Sequence, residues 1–195
     1  MKRIGIFGGS FDPPHIGHLI IAELARAELR LDQVIFVPAF VPPHKEGSHA
    51  STAIDRLKMT ALAATGHAAF RVSDIEIRRK GVSYTVDTVR AFKRRYRTAT
   101  LFLIIGGDSL AQFLSWRAPD EIMSKVSLVV YHRSGFRPKL GGLAKGKIHF
   151  VRGPLLEISS TEIRKRIAAG KSIRYLVTDP VRAYIARRRL YQHHT

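Results

Sequence analysis

Two histidines three residues apart, His15 and His18, close a run that begins Gly8-Gly9-Ser10-Phe11-Asp12-Pro13-Pro14. The run follows a short apolar segment, Arg3–Phe7, and leads into a helical pattern. In open α/β sheets ligands bind beyond the carboxyl ends of the strands, so a strand-to-helix turn is where a site belongs. Gly8 and Gly9, with Ser10 beside them, let backbone N–H groups approach an anion, and a helix N-terminus adds a favourable dipole. At a spacing of three, both imidazoles project from one side of the helix start and can donate hydrogen bonds to charge developing on a phosphate. Two histidines could also be half of a metal site, but no carboxylate or third His is placed nearby to complete one. The glycine spacing is neither the dinucleotide fingerprint nor a Walker loop, since no Gly-Lys-Ser/Thr follows. Together these features favour a nucleotide site over a plain tight turn carrying surface histidines.

A second candidate opens late in the chain, at Ser159-Ser160-Thr161-Glu162-Ile163-Arg164-Lys165-Arg166. Ser159 and Glu162 have capping-box spacing, which by itself would explain a well-started helix with a basic solvent face. The alternative is a second phosphate cradle of backbone N–H groups, the hydroxyls of Ser159 and Thr161, and Arg164 one turn in. An arginine fork suits phosphate oxygens better than a lysine. A triphosphate can be held between two helix N-termini, so each motif strengthens the other.

The elements that must position these groups alternate. Apolar runs recur at Arg3–Phe7, Val34–Pro38, Phe70–Ile77, Leu101–Ile105, Val126–Tyr131 and Ile148–Val151, several nearly continuous as in parallel strands buried on both faces. Between them Ile16, Ile20, Leu24, Ala27 and Leu31 fall on one helical stripe. Thr52 and Asp55 have capping-box spacing ahead of Leu57, Ala61 and Ala64, and Gly66 supplies a stop. Val86, Val89, Phe92 and Tyr96 mark a helix beginning just after Ser83-Tyr84. Gly170 ends the helix opened at Ser159, and Asp179-Pro180 reads as an N-cap and first helical position ahead of Val181, Tyr184, Ile185 and Leu190. The expectation is one α/β domain spanning residues 1–195: a Rossmann-like open, mostly parallel sheet with helices on both faces. Pro42–Ala50 and Ser134–Lys147 read as loops, both too short for interdomain linkers.

Composition narrows the rest. The 195 residues carry 33 Lys and Arg against 15 Asp and Glu, a net +18, and no Cys. Disulfides, thiolate metal sites and a cysteine nucleophile are excluded. No apolar run nears the ~20 residues of a membrane span, and the N-terminus lacks a secretory apolar core, so the reading is a cytoplasmic protein. The positive charge implies anionic partners. Its clusters, Arg78-Arg79-Lys80, Lys93-Arg94-Arg95 and Arg187-Arg188-Arg189, lack interleaved aromatics and read as solvated faces more than as a nucleic-acid surface.

The run from Gly8 to His18 resembles the HxGH signature of the nucleotidylyltransferase superfamily, and Ile158-Ser159-Ser160-Thr161-Glu162-Ile163-Arg164 resembles its second signature. Both occur in the expected order near the two ends of the chain. Pro42-Pro43-His44-Lys45, Ser83-Tyr84-Thr85-Val86-Asp87-Thr88, Gly106-Gly107-Asp108 and Trp116 make the chain most similar to bacterial nicotinate-nucleotide adenylyltransferases. Glu157 stands where that family often has Asp, and Gly107 where Ala or Thr is frequent.

The resemblance implies adenylyl transfer from ATP to nicotinate mononucleotide, giving deamido-NAD and pyrophosphate, a step of NAD biosynthesis. It implies that His15 and His18 contact the reacting phosphates, and that Ser159, Thr161 and Arg164 hold the β- and γ-phosphates, with Lys45 reaching in from a loop that is the candidate lid. Gly8, Gly9 and Ser10 would line the nucleotide cleft, Gly106 and Asp108 would meet the adenosine, the latter through its ribose hydroxyls, and Mg²⁺ would arrive on the triphosphate. Trp116 would stack on the pyridine ring beside Tyr84, with the backbone near Thr85 and Arg117 taking the carboxylate; ordinary packing is the other reading of this single Trp. Two alternatives stay open: an adenylyltransferase for nicotinamide mononucleotide or phosphopantetheine, and a non-catalytic basic nucleic-acid-binding domain. An oligomer is compatible with all of these readings.

Overall fold

In the computed structural model, which describes residues 1–43, 50–132, 145–154 and 157–192, six strands form one sheet. They are β1 (Arg3–Gly9), β2 (Gln33–Pro38), β3 (Phe70–Val72), β4 (Thr100–Gly106), β5 (Ser127–His132) and β6 (Ile148–Arg152). Every pairing is parallel, and the order is β3-β2-β1-β4-β5-β6. The chain therefore winds outward from β1 through β2 and β3, returns to the middle, and winds the other way from β4. β1 and β4 lie side by side, in register from Arg3 opposite Thr100 to Phe7 opposite Ile104. Where winding reverses, the connections leave the two strands in opposite directions, and a crevice opens past their carboxyl ends.

The helices are α1 (Ile16–Glu28), α2 (Ala53–Ala64), α3 (Ile75–Arg79), α4 (Thr85–Arg95), α5 (Gly107–Ala111), α6 (Pro119–Lys125), α7 (Ser160–Ala168) and α8 (Asp179–Arg188). Strand residues alternate between two faces. Ile4, Ile6, Leu101, Leu103 and Ile105 pack on α4 and α6 through Val86, Val89, Phe92 and Ile122. Phe7, Phe36, Phe102 and Ile104 face α1 and α2 through Ala22, Ala25 and Ala64. Helices thus cover both faces, as the nearly continuous apolar runs require. A third cluster, with Met59, Ala63, Ile163, Val181, Tyr184 and Ile185, docks α7 and α8 against α2. This satellite core carries the late motif back to the sheet.

Local differences from the sequence reading have local causes. The apolar run Phe70–Ile77 is strand only to Val72, where the Ser73 N–H makes a last bond to the Phe36 carbonyl; Ile75–Arg79 is helical instead. In a one-turn helix Glu76 and Ile77 are both buried, so alternation in this stretch reported burial and not strand period. Thr178, not Asp179, is the N-cap of α8, and Pro180 takes the second helical position. Three short elements between β4 and β5 had no counterpart in the sequence pattern: α5, a 3-10 turn at Phe113–Ser115, and α6. No helix among the described residues is long and apolar enough to cross a membrane. The basic clusters at Arg78-Arg79-Lys80 and Arg187-Arg188-Arg189 are exposed, as are Arg94 and Arg95, while Lys93 is half-buried.

Candidate active site

The crevice beyond β1 and β4 is lined by Gly8, Gly9 and Ser10 on one side and Ser109 on the other, around a cavity of about 240 Å³. Gly8 and Gly9 have different reasons to be glycine. A Cβ on Gly8 would meet nothing within 4 Å, so the backbone there stands open to a ligand. A Cβ on Gly9 would lie 3.0 Å from the Phe11 ring, so its lack of a side chain is a packing requirement. Phe11, with φ of +51°, turns the chain sharply into the buried Asp12-Pro13-Pro14 segment. Gly106, whose Cβ would also meet nothing within 4 Å, ends β4 and caps α5; Asp108 in the first turn of that helix is exposed.

His15 is the N-cap of α1 and His18 lies in its first turn. Their rings sit face over face, with centroids 3.7 Å apart and planes inclined by 32°. The backbone N–H of His15 donates to Nδ1 of His18 at 3.1 Å, which leaves the hydrogen of a neutral His18 on Nε2. His18 also packs edge-on to Phe11, centroids 5.0 Å apart. Burial lowers the pKa of His15 to about 4, and burial together with His15 holds His18 well below the usual imidazole range. Both rings are therefore neutral near pH 7 and act as hydrogen-bonding groups, not fixed cations. Nδ1 of His15 is buried without a hydrogen-bond partner, an unmet polar atom of the kind that costs roughly 1–3 kcal/mol until a ligand or water meets it.

The late motif reaches this loop directly. Ser159 caps α7 by accepting from the Glu162 N–H at 3.1 Å. Ser160 Oγ donates to the Pro13 carbonyl at 2.8 Å, and Arg164 Nη1 donates to the Asp12 carbonyl at 2.7 Å. Arg164 Nη2 donates to Thr161 Oγ1 at 3.2 Å. The Ile16 N–H bonds the Leu176 carbonyl at 2.9 Å, so the segment after α7 also touches the start of α1. Two helix N-termini, α1 and α7, are thereby fixed against one loop. His15, His18, Gly8, Ser10, Ser159, Thr161 and Arg164 belong to this one neighbourhood, whereas Lys45, within 44–49, lies outside the described residues.

Sequence reasoning missed the residues that brace the loop. Arg56 of α2, 1% exposed, donates Nη1 to the carbonyls of Ser10 and Ala39, at 2.9 and 2.5 Å, and Nη2 to that of Phe40 at 2.9 Å. One guanidinium thus joins the ends of β1 and β2. The buried Asp12 carboxylate accepts from the Ala50 N–H at 3.0 Å and from Ser51 Oγ at 2.5 Å. Nothing in the spacing marks either residue, since an Arg in an amphipathic helix and an Asp in a turn are ordinarily solvated.

A neighbouring cavity of about 360 Å³ is lined by Pro43, Tyr84, Thr85, Ser115, Trp116 and Arg117. Pro43, Thr85 and Trp116 also line the crevice cavity, so the two are continuous. Trp116 is half-buried against Phe113, with centroids 5.3 Å apart. The Arg117 guanidinium lies over the Tyr84 ring, 4.7 Å from its centroid. Thr85 is the first residue of α4, so free backbone N–H groups of that helix start are at the cavity wall. Behind it, the buried Glu76 carboxylate accepts from Thr88 Oγ1, and Ser83 Oγ accepts from the Phe40 N–H at 2.9 Å, fixing the turn that presents Tyr84. Burial pushes the Glu76 carboxyl up, and its hydroxyl partners pull the other way.

Residues 6–166 match the family model described as cytidylyltransferase-like. A "Probable nicotinate-nucleotide adenylyltransferase" of Shouchella clausii is 46% identical over 191 residues, covering 98% of this chain and 97% of that one. The chain belongs to the nicotinate-nucleotide adenylyltransferase family. A "Probable nicotinate-nucleotide adenylyltransferase" of Salinibacter ruber is 43% identical over 190 residues, 97% of each chain. Among solved structures, nicotinic acid mononucleotide adenylyltransferase of Plasmodium falciparum complexed with NaAD superposes with a TM-score of 0.80, covering 98% of both chains at 20% identity, a likeness of fold. In this family member the fold expectation holds: a Rossmann-like parallel sheet with helices on both faces.

Proposed function

We propose that this chain transfers the adenylyl group of Mg-ATP to nicotinate mononucleotide, forming deamido-NAD and releasing pyrophosphate. The observation that carries the reading is the continuity of the two cavities. One lies at a phosphate-binding type of loop, the other is walled by Trp116, Tyr84 and Arg117, and they meet at Thr85. A dinucleotide product has that division: phosphates in the middle and a flat ring at one end.

In the reaction, an oxygen of the mononucleotide 5′-phosphate attacks the α-phosphorus of ATP. The bond from that phosphorus to the oxygen bridging to the β-phosphorus breaks, and pyrophosphate leaves with the electron pair. No covalent intermediate with the protein is required, and the chain has no Cys to form one. The protein's work is positioning and stabilisation of charge. Neutral His18, with its hydrogen on Nε2, supplies a preorganised donor, and His15 stacked on it supplies another. Arg164, with Ser159 and Thr161 at the start of α7, holds the β- and γ-phosphates, and Lys45 adds a further cation from its loop. Gly8, Gly9 and Ser10 line the α-phosphate side, with Gly106 and Asp108 toward the adenosine ribose.

Magnesium enters as part of the nucleotide substrate. Among the described residues no group of three His, Asp or Glu could hold a metal ion, which suits an ion carried by phosphate oxygens and water. The pyridine ring stacks on Trp116, and its carboxylate is met by the N–H groups at the start of α4 and by Arg117. A carboxamide would gain neither the helix dipole nor the ion pair, which supports nicotinate as the acceptor.

The test is pyrophosphate release with Mg-ATP and three acceptors in parallel: nicotinate mononucleotide, nicotinamide mononucleotide and phosphopantetheine. Strong preference for the first is expected. Preference for another acceptor would overturn the pyridine pocket while keeping the phosphate site, and silence on all three from folded protein would overturn the activity.

A further inference from the structure

Beyond α8 the chain turns back on itself. Arg189 and Tyr191 both take positive φ, +51° and +65°, and the Leu190 N–H bonds the Ile185 carbonyl at 3.1 Å. The reversal carries the Tyr191 side chain between α2 and the phosphate loop. Its hydroxyl donates to Asp12 Oδ1 at 2.7 Å and lies 3.2 Å from Ser51 Oγ and 3.9 Å from Met59 Sδ. Burial, with Asp12 adjacent, pushes the phenol well above its ordinary range, so it stays a protonated donor.

Asp12 is the junction of three separate segments. Its carboxylate receives Tyr191 from the C-terminal turn and Ser51 and Ala50 from the approach to α2. Its carbonyl receives Arg164 of α7 at 2.7 Å. Carboxylate and carbonyl belong to one residue, so holding the first sets the direction of the second. A hydroxyl 179 positions away is therefore linked to Arg164 through a single residue.

We propose that Tyr191 is a positioning residue for the nucleotide phosphates, its hydroxyl fixing the Asp12 carboxylate so that the Asp12 carbonyl holds the Arg164 guanidinium in place. The inference rests on the reading that Arg164 grips the phosphates of ATP. Tyr184 supplies an internal contrast. It donates from the same C-terminal helix to Asp55 Oδ1 at 2.7 Å, bracing α8 on α2 without touching the loop.

The test is steady-state kinetics on Tyr191→Phe, Tyr184→Phe, Arg164→Ala and the double variant Tyr191→Phe/Arg164→Ala, each with its urea unfolding midpoint. Tyr191→Phe is expected to raise KM for ATP at least fivefold, with KM for nicotinate mononucleotide and kcat within twofold. Tyr184→Phe is expected to lower the unfolding midpoint and leave both KM values within twofold. In the Arg164→Ala background the tyrosine change is expected to alter KM for ATP less than twofold, because the group it acts through is gone. Effects of Tyr191→Phe and Arg164→Ala that multiply, or a folded Tyr191→Phe with KM for ATP within twofold, would overturn the positioning role while leaving Arg164 in the site. An Arg164→Ala enzyme with unchanged kinetics would remove the phosphate grip and the inference with it.

Discussion

Arg164 and Asp12, 152 positions apart, are joined by a 2.7 Å hydrogen bond from a guanidinium to a main-chain carbonyl. With the Ser160 contact to Pro13 it makes the two motifs one structure. Charge-assisted hydrogen bonds contribute about 1.5–3 kcal/mol each. Arg164→Ala is therefore expected to raise KM for ATP roughly ten- to a hundredfold with a smaller change in kcat, as for a contact made equally in ground and transition states. Arg164→Lys should recover little, since a point charge cannot serve Asp12, Thr161 and a phosphate together. Unchanged KM and kcat in Arg164→Ala would remove it from the site.

His18 is held with its Nδ1 occupied by the His15 N–H and its Nε2 hydrogen free to donate. Losing a preorganised transition-state donor costs about two to four orders of magnitude in kcat/KM, and His18→Ala is expected to fall in that range. A loss below threefold, with circular dichroism unchanged, would end that assignment.

The lowered His15 pKa carries a stability consequence. Between pH 6.5 and about 4 the unfolded chain binds a proton at His15 that the folded protein does not. Stability therefore falls as pH drops through that window, by on the order of 3 kcal/mol for this residue. Urea unfolding at a series of pH values should show a flatter profile for His15→Asn between pH 6.5 and 4 than for the parent. An identical slope in the two proteins would show that the folded imidazole takes up its proton normally.

Trp116 is the sole Trp in the chain, so intrinsic fluorescence reports on one wall of the proposed pyridine cavity. Nicotinate mononucleotide is expected to quench it saturably, and a non-hydrolysable ATP analogue alone to quench it little. Trp116→Ala should raise KM for the mononucleotide about tenfold, a base–aromatic stack contributing roughly 1–3 kcal/mol. Quenching by ATP analogue and mononucleotide to the same extent would argue that Trp116 packs where both nucleotides disturb it.

Arg56 makes a prediction about the scaffold. Its guanidinium serves the carbonyls of Ser10, Ala39 and Phe40 from inside the protein. Arg56→Met keeps most of the volume but leaves those carbonyls without a donor, at a cost of about 3 kcal/mol or more by urea unfolding. A cost below 1 kcal/mol would mean that water replaces the guanidinium.

The sequence made the frame legible for identifiable reasons. Strands buried on both faces must be apolar throughout, so β1, β2, β4 and β5 stand out; Gly66 and Gly170, with φ of +90° and +64°, mark helix ends that nearly any other residue would strain. The phosphate loop was readable because glycine, serine and paired histidine are local. The braces were not. Arg56, Asp12 and Tyr191 meet only after α2 and α8 have docked, and no periodicity encodes a partner 179 residues distant. The short α3, α5 and α6 were invisible for a different reason: helices of five to seven residues show at most two turns of pattern.

The contacts of Pro13 with Ser160 and of Ile16 with Leu176 have a bearing on how the protein is made. Translation delivers the glycine-histidine loop first and its opposing arginine nearly last. A chain halted on the ribosome before α7 emerges would carry half a nucleotide grip, with Asp12 lacking two of its partners. Adenylyl transfer would then be a property of the finished polypeptide alone, and C-terminal trimming by a protease would silence the site while the sheet stays whole.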